Sequence, residues 1–94
     1  MRTAARTDDN QTKIVEALRS IGASVLVMSQ LGHGAPDLAV GIFKRTFFLE
    51  IKNPDQPKSA QSLTADEAIF ADDWKGHYAI VRTPEEAIAA INPR

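Results

Sequence analysis

The segment 36-PDLAVGIFKRTFFLEIK-52 is mostly apolar, yet it contains Asp37 near its start and Glu50 and Lys52 at its end. Residues 37–42 and 46–52 are rich in apolar, β-branched and aromatic residues and predict two β-strands. The intervening Phe-Lys-Arg predicts a tight turn, so we expect the two strands to form a hairpin. The question is why three charged residues stand where a small protein would place its core.

The alternation of side chains along the second strand separates an apolar face from a polar one. Residues two apart on a strand share a face. Glu50 and Lys52 therefore lie side by side, with their α-carbons roughly 6–7 Å apart. The opposite face is expected to be entirely in the core and consists of Phe47, Leu49 and Ile51.

The register of the hairpin determines whether Asp37 joins them. A turn centred between Lys44 and Arg45 places Asp37 opposite Lys52 and Ala39 opposite Glu50. Directly opposed residues share a face, so Asp37, Glu50 and Lys52 would converge. A slip of one residue would move Asp37 to the other face.

Two carboxylates at one place repel each other unless a cation lies between them. Carboxylate oxygens suit Mg²⁺ or Mn²⁺, and a metal with few protein ligands supports hydrolysis of phosphodiester bonds. Lys52 would orient or deprotonate the attacking water, or stabilise the transition state. The alternative is that Asp37 caps a turn after Pro36 and that Glu50 and Lys52 form a surface ion pair, worth about 0–1 kcal/mol.

The remaining sequence predicts a small α/β domain with a mixed sheet flanked by helices. A first helix runs from one of the capping residues at 7–9 to about Ile21, and residues 53–62 are expected to be an irregular linker. We expect residues 1–7 to be a flexible tail and residues 8–94 to form a single domain. The predicted order is α-β-β-β-α-β-α, and its other elements are strands at 23–28 and 77–82 and helices at 64–74 and 84–91.

Composition narrows the class of protein. The chain has 94 residues, a formal net charge of −1, 44% hydrophobic residues and no cysteine. These values argue against disorder, a uniformly basic nucleic-acid binder, disulfides and cysteine-bound zinc. The N-terminus does not look like a signal peptide, and no apolar run reaches the roughly 20 residues of a membrane span. We expect a soluble cytoplasmic protein, in a bacterial cell or a phage-infected host, without a membrane partner.

The motifs around the hairpin resemble those of a known family. The segments 34-GAPDL-38 and 49-LEIK-52, in this order of elements, are similar to the PD-(D/E)XK nuclease superfamily. Within it, the chain most resembles small stand-alone VRR-NUC-type nucleases of phages and bacteria. The resemblance covers Asp8 to Ile91 and is supported by 8-DDNQ-11, 32-GHGAPD-37, 63-LTADE-67 and 74-WKG-76.

This resemblance implies a restriction-endonuclease-like fold with a mixed four-stranded sheet. It also implies that Asp37, Glu50 and the backbone carbonyl of Ile51 bind Mg²⁺ or Mn²⁺, and that Lys52 is the catalytic lysine. Relatives often have glutamine where this chain has Glu67, which leaves the role of Glu67 open.

Four residues near these motifs are secondary candidates for the second shell or for substrate contact. Glu67 stands three residues after Thr64, the spacing of a capping box, but it also borders the apolar side of its helix. Gln11 borders the inward face of the first helix, and Asp8 is either its cap or part of the site. His33 is either a substrate contact or a solvated loop residue.

Three basic residues are candidate phosphate contacts, each weighed against an ordinary solvated charge: Lys44, Arg45 and Lys58. Phe70 and Trp74 are expected in the core rather than as platforms for nucleobases.

The leading hypothesis is a metal-dependent DNA endonuclease that contacts mainly the DNA backbone. The small domain would meet two strands most naturally as a homodimer or higher homo-oligomer, so junctions, flaps or branched DNA are plausible substrates. The alternatives are a non-catalytic nucleic-acid-binding or assembly module that kept the fold, and a subunit that serves only as an interaction partner.

Overall fold

The structure, a computed structural model, describes residues 9–92. The tail expected at 1–7 and the roles suggested for Asp8 lie outside the described residues. Within residues 9–92, no helix combines the length and the apolar character needed to cross a membrane.

The described elements confirm the predicted order, with one addition. They are α1 (Asp9–Ser20), β1 (Ser24–Val27), β2 (Leu38–Ile42), β3 (Arg45–Ile51), α2 (Lys58–Gln61), α3 (Ala65–Asp73), β4 (His77–Val81) and α4 (Pro84–Ile91).

The short helix α2 lies within the segment predicted to be an irregular linker, so that prediction was wrong. Pro57 stands just before the first helical residue, where its missing N–H does not interrupt a helical hydrogen bond. The amide of Gln61 donates to the carbonyls of Pro54 and Gln56, at 3.4 and 2.7 Å. These bonds connect the end of α2 to the preceding loop.

The four strands form one mixed sheet in the order β1-β2-β3-β4. β2 pairs antiparallel with both β1 and β3, whereas β3 and β4 are parallel. A parallel pair needs a long crossover, and α2 and α3 lie in the connection between β3 and β4. The coarse prediction of a mixed four-stranded sheet flanked by helices is confirmed.

The predicted hairpin register was wrong by two residues. Leu38 pairs with Leu49 and Ile42 with Arg45, so the turn consists of Phe43 and Lys44. Both turn residues have left-handed backbones, with φ of 55° and 62°, as in the primed turns that match the twist of a two-residue hairpin. A shift by two residues keeps every side chain on its face, so the predicted grouping by face survives.

The two faces of the sheet are covered differently. Phe48 of β3 and Tyr78 of β4 lie on the face of Glu50, where Phe70 of α3 and Trp74, just after α3, pack. Phe70 is half-buried, but Trp74 remains 42% exposed, so the expectation of a core tryptophan was only partly correct. The opposite face of the sheet, which carries Leu49, packs against α1 and α4. The fully buried residues of this layer are Ile14, Leu18, Leu38, Val40, Leu49 and Ile91.

Candidate active site

The β2–β3 ladder ends at the pair Leu38 and Leu49. Asp37, just before Leu38, and Glu50, just after Leu49, are the next residues beyond this pair. They therefore lie across from each other on the face that α3 covers. Asp37 Oδ2 accepts a hydrogen bond of 2.7 Å from the backbone N–H of Ile51. The carboxylate thus bonds to the neighbouring strand β3, and this bond fixes it next to Glu50.

Glu50 is a buried acid with an incomplete set of partners. It is 3% exposed, and its Oε1 has no hydrogen-bond partner among the described residues. Burial, the nearby charge of Asp37 and a hydrogen bond with Glu67 raise the pKa of Glu50 to about 8. Burial also raises the pKa of Asp37, against the opposing effect of the Ile51 amide. The fold therefore holds two carboxyl groups where ionising both is costly.

Lys52 lies between two acids. Its Nζ is 2.8 Å from Glu67 Oε1 and 3.6 Å from Glu50 Oε2, and its side chain is 11% exposed. The alternative that Glu50 and Lys52 form an exposed surface ion pair is therefore wrong, because both side chains are largely buried. Burial acts to lower the pKa of Lys52, but the hydrogen bond and charge of Glu67 outweigh it, and the pKa is raised. Lys52 is consequently held as an ammonium ion.

Glu67 serves both of the roles that the sequence left open. Its Oε1 accepts from the backbone N–H of Thr64 at 2.9 Å, and its own N–H donates to Thr64 Oγ1, which completes a capping box at the start of α3. The same Oε1 accepts the hydrogen bond from Lys52. Although burial opposes it, the hydrogen bond from Lys52 lowers the pKa of Glu67, so Glu67 is the ionised partner of the lysine.

The start of α1 supports the site from outside. The Ser29 hydroxyl lies between Gln11 Oε1, at 2.9 Å, and the Asp37 carboxylate, and its single proton can be donated to either acceptor. Asn10 Nδ2 donates to the carbonyl of Lys52 at 3.1 Å. Gln11 therefore reaches the site through Ser29, which the sequence analysis did not single out.

Tyr78 is a further buried polar group that the sequence analysis missed. Tyr78 lies on β4, pairs with Phe48 of β3 and is on the same face of the sheet as Glu50. Its hydroxyl has no hydrogen-bond partner among the described residues. Burial and the neighbouring Glu50, Glu67 and Asp37 raise the pKa of Tyr78 to about 12. The hydroxyl therefore keeps its proton and can act as a donor at the edge of the acidic cluster.

The loop before Asp37 depends on a close contact with α3. Gly34 has φ of 81°, and a Cβ on it would lie within 2.4 Å of the carbonyl oxygen of Asp66, in the first turn of α3. This contact holds the loop that leads to Asp37 against the helix that carries Glu67.

Replacing Gly34 by alanine is expected to destabilise the protein by more than the left-handed backbone alone costs, which is about 1–2 kcal/mol. The added methyl group would push the loop away from Asp66. Gly22→Ala is the matched control, because Gly22 has φ of 95° but open space around it. Urea unfolding measures both variants, and an equal loss for the two would contradict the close contact.

Other candidates do not reach the carboxylates. His33 is exposed in the loop and lines a groove with residues of α3. Lys44 and Arg45 lie at the turn end of the hairpin, about five residues or roughly 17 Å along β3 from Glu50. A phosphate contact by Lys44 or Arg45 would therefore lie at the far end of the hairpin, and it stays a prediction. Lys58 is exposed on α2.

The donor atoms fit a divalent cation only in part. Within the described residues, no three His, Asp or Glu side chains form a group that could hold a metal ion. The set of metal ligands implied by the family resemblance differs from such a group, because it consists of two carboxylates and one backbone carbonyl. The unpartnered Oε1 of Glu50, buried across from Asp37, is a donor atom of the kind that a divalent cation prefers.

Comparisons of the chain with protein-family models, curated proteins and solved structures find no match.

Proposed function

We propose that this chain is a metal-dependent DNA endonuclease with a restriction-endonuclease-like fold of the PD-(D/E)XK type. In this proposal Asp37, Glu50 and the carbonyl of Ile51 hold Mg²⁺ or Mn²⁺, and Lys52 is the catalytic lysine. The observation that carries the proposal is the Glu50 carboxyl group, which is 3% exposed, lies across from Asp37 and has one oxygen without a partner.

The charge of the cluster supports a cation-binding role. Asp37, Glu50 and Glu67 lie together, and Lys52 is the only cation that the described part of the chain pairs with them. Uncompensated buried carboxylates are costly in a small domain. If the cluster had only a structural role, nothing would offset this cost, whereas a bound divalent cation would offset it.

The side chains of the site have separate tasks in the proposed reaction. A bound divalent cation supplies an acidified water and charge compensation for the phosphate. The Ile51 amide orients Asp37 through a 2.7 Å hydrogen bond. Lys52, which is held as an ammonium ion, stabilises the negative charge that develops on the phosphate, and Glu67 restrains its position. The raised pKa of Lys52 favours this electrostatic role over that of a general base.

The expected substrates, branched DNA such as junctions and flaps, follow from a homodimer with two sites. The exposed side chains of β1 support the dimer, because Leu26 and Val27 on this edge strand are 64% and 46% exposed. This part of the proposal concerns the assembly, and the chemistry at Glu50 does not depend on it.

Linear, nicked, flapped and four-way DNA incubated with Mg²⁺ or Mn²⁺ test the proposal directly. We expect cleavage that requires the metal, is abolished by EDTA and is lost in Asp37→Asn. Calorimetric titration of metal into the native chain and into Asp37→Asn reports binding without turnover. Metal binding without cleavage of any of these DNAs would favour the non-catalytic module, and neither binding nor cleavage would favour a subunit that only interacts with partners.

A further inference from the structure

A cleft beside the candidate active site is lined by polar and basic side chains. It has a volume of about 360 Å³, and its lining residues are Lys58 and Gln61 of α2, Ser62, and Arg82 just after β4. Lys58 and Arg82 are positively charged, and none of the described residues that line the cleft is acidic. Lys58 is one of the phosphate contacts predicted from the sequence, whereas Arg82 is not.

The register of the parallel strands places Arg82 next to the catalytic lysine. Ile51 pairs with Val81 at the end of the β3–β4 ladder, and the N–H of Lys52 donates to the Val81 carbonyl at 3.0 Å. Lys52 and Arg82 are the next residues outward on the two strands. This hydrogen bond continues the pairing by one step beyond the strands, so the α-carbons of Lys52 and Arg82 are expected about 4.8 Å apart.

The guanidinium of Arg82 is positioned before any ligand binds. Its Nε donates to Gln61 Oε1 at 2.9 Å, and the Gln61 amide nitrogen bonds to the loop carbonyls before α2. Arg82 Nη1 lies 4.0 Å from Glu86 Oε1, an exposed and weak pair. The remaining N–H groups of a guanidinium form a planar fork that matches a phosphate.

Another groove beside the site is acidic and aromatic. It lies between His33 and α3, has a volume of about 290 Å³ and contains Asp66 and Asp73 together with aromatic side chains. A phosphate would be repelled there. Charge therefore favours a path for the DNA backbone from Lys52 toward Arg82 and Lys58.

We propose that Lys58, Ser62 and Arg82 form a second phosphate site, which holds a backbone phosphate of the DNA strand next to the phosphate that is cleaved. The inference rests on the proposed nuclease function, because it assigns the neighbouring phosphate to the same strand. Gln61 is a positioning residue, since it orients Arg82. The site contributes affinity and alignment without taking part in the chemistry.

Fluorescence anisotropy of a labelled DNA duplex, measured in EDTA over a series of salt concentrations, tests this site without cleavage. For Lys58→Gln and for Arg82→Gln we expect weaker binding and a plot of log affinity against log salt that is shallower by about 0.9 per lost contact. Lys75→Gln is the matched control, because it removes the same charge from an exposed residue just before β4, at the end of the strand opposite Arg82. In the cleavage assay, KM is expected to rise in Lys58→Gln and in Arg82→Gln, whereas Lys75→Gln is expected to keep the native KM.

If Lys58→Gln and Arg82→Gln have the same affinity and salt slope as Lys75→Gln, the second phosphate site is overturned, even if the native chain cleaves DNA. If the native chain cleaves none of the DNAs but both variants bind DNA more weakly, the phosphate site stands and the proposed nuclease activity is overturned. Arg82→Gln also removes the contact with Gln61, so the exposed Lys58 provides a test that does not disturb the packing. If Lys58→Gln behaves like the control, the proposal fails regardless of the result for Arg82.

Discussion

Replacing Lys52 by methionine is expected to lower kcat about 100- to 1,000-fold on the DNA that the native chain cleaves, with little change in KM. Methionine keeps much of the length of the side chain but removes the ammonium ion, which lies 2.8 Å from Glu67 and 3.6 Å from Glu50. An interaction that matters mainly in the transition state affects kcat more than binding. Steady-state cleavage kinetics measure this effect.

Lys75→Met is the control for Lys52→Met. Lys75 is exposed, and its Nζ donates to the nearby carbonyl of Asp73. We expect this variant to cleave DNA at the native rate. Because Lys52→Met also leaves two acids without their cation, its unfolding midpoint must be measured under the assay conditions. A folded Lys52→Met variant with native kcat would contradict the assigned role of the lysine.

Replacing Glu50 by glutamine is expected to abolish cleavage and, in EDTA at pH 8, to increase the free energy of unfolding. The pKa of Glu50 is raised from about 4.5 to about 8 in the folded protein. Below pH 4.5 the group is protonated in both states and does not affect stability. As the pH rises to about 8, the unfolded chain releases this proton first, so the native protein loses stability, on the order of a few kcal/mol. Above pH 8 the full loss persists.

Thermal or urea unfolding across this pH range measures the effect. Glutamine is neutral throughout, so the stability of Glu50→Gln should fall less than that of the native chain between pH 4.5 and 8. Mg²⁺ should restore stability to the native protein at pH 8 but not to the variant, because a ligand stabilises the state that binds it. The control is Glu85→Gln, an exposed carboxylate of α4. Parallel pH curves for native protein and Glu50→Gln would contradict the raised pKa.

The local features of the fold were predictable because they depend on short-range patterns. The alternation in 47-FFLEIK-52 correctly assigns Phe47 and Leu49 to the core and Glu50 to the other face. The spacing of Thr64 and Glu67 correctly indicates a capping box. These signals involve neighbouring residues, so they do not depend on the rest of the chain.

Other features were not predictable because distant parts of the chain set them. Two-residue hairpin turns usually contain Asn or Gly, and Phe43 and Lys44 give no such signal, although both adopt a positive φ. The centre of the turn was therefore misplaced. The positions of Tyr78 and Arg82 beside the site require the parallel pairing of β3 with β4, which a crossover and tertiary packing determine.

The capping box of α3 links the dynamics of a helix end to the position of Lys52, the proposed catalytic lysine. One oxygen, Oε1 of Glu67, accepts both the Thr64 amide and the Lys52 ammonium. Helix ends are among the first parts of a protein to fray. Each opening of the first turn of α3 therefore loosens the anchor of Lys52, and whatever orders Lys52 slows that opening. Amide hydrogen exchange at the start of α3 therefore reports on the order of Lys52 in the candidate active site, and it can be measured in the absence of turnover.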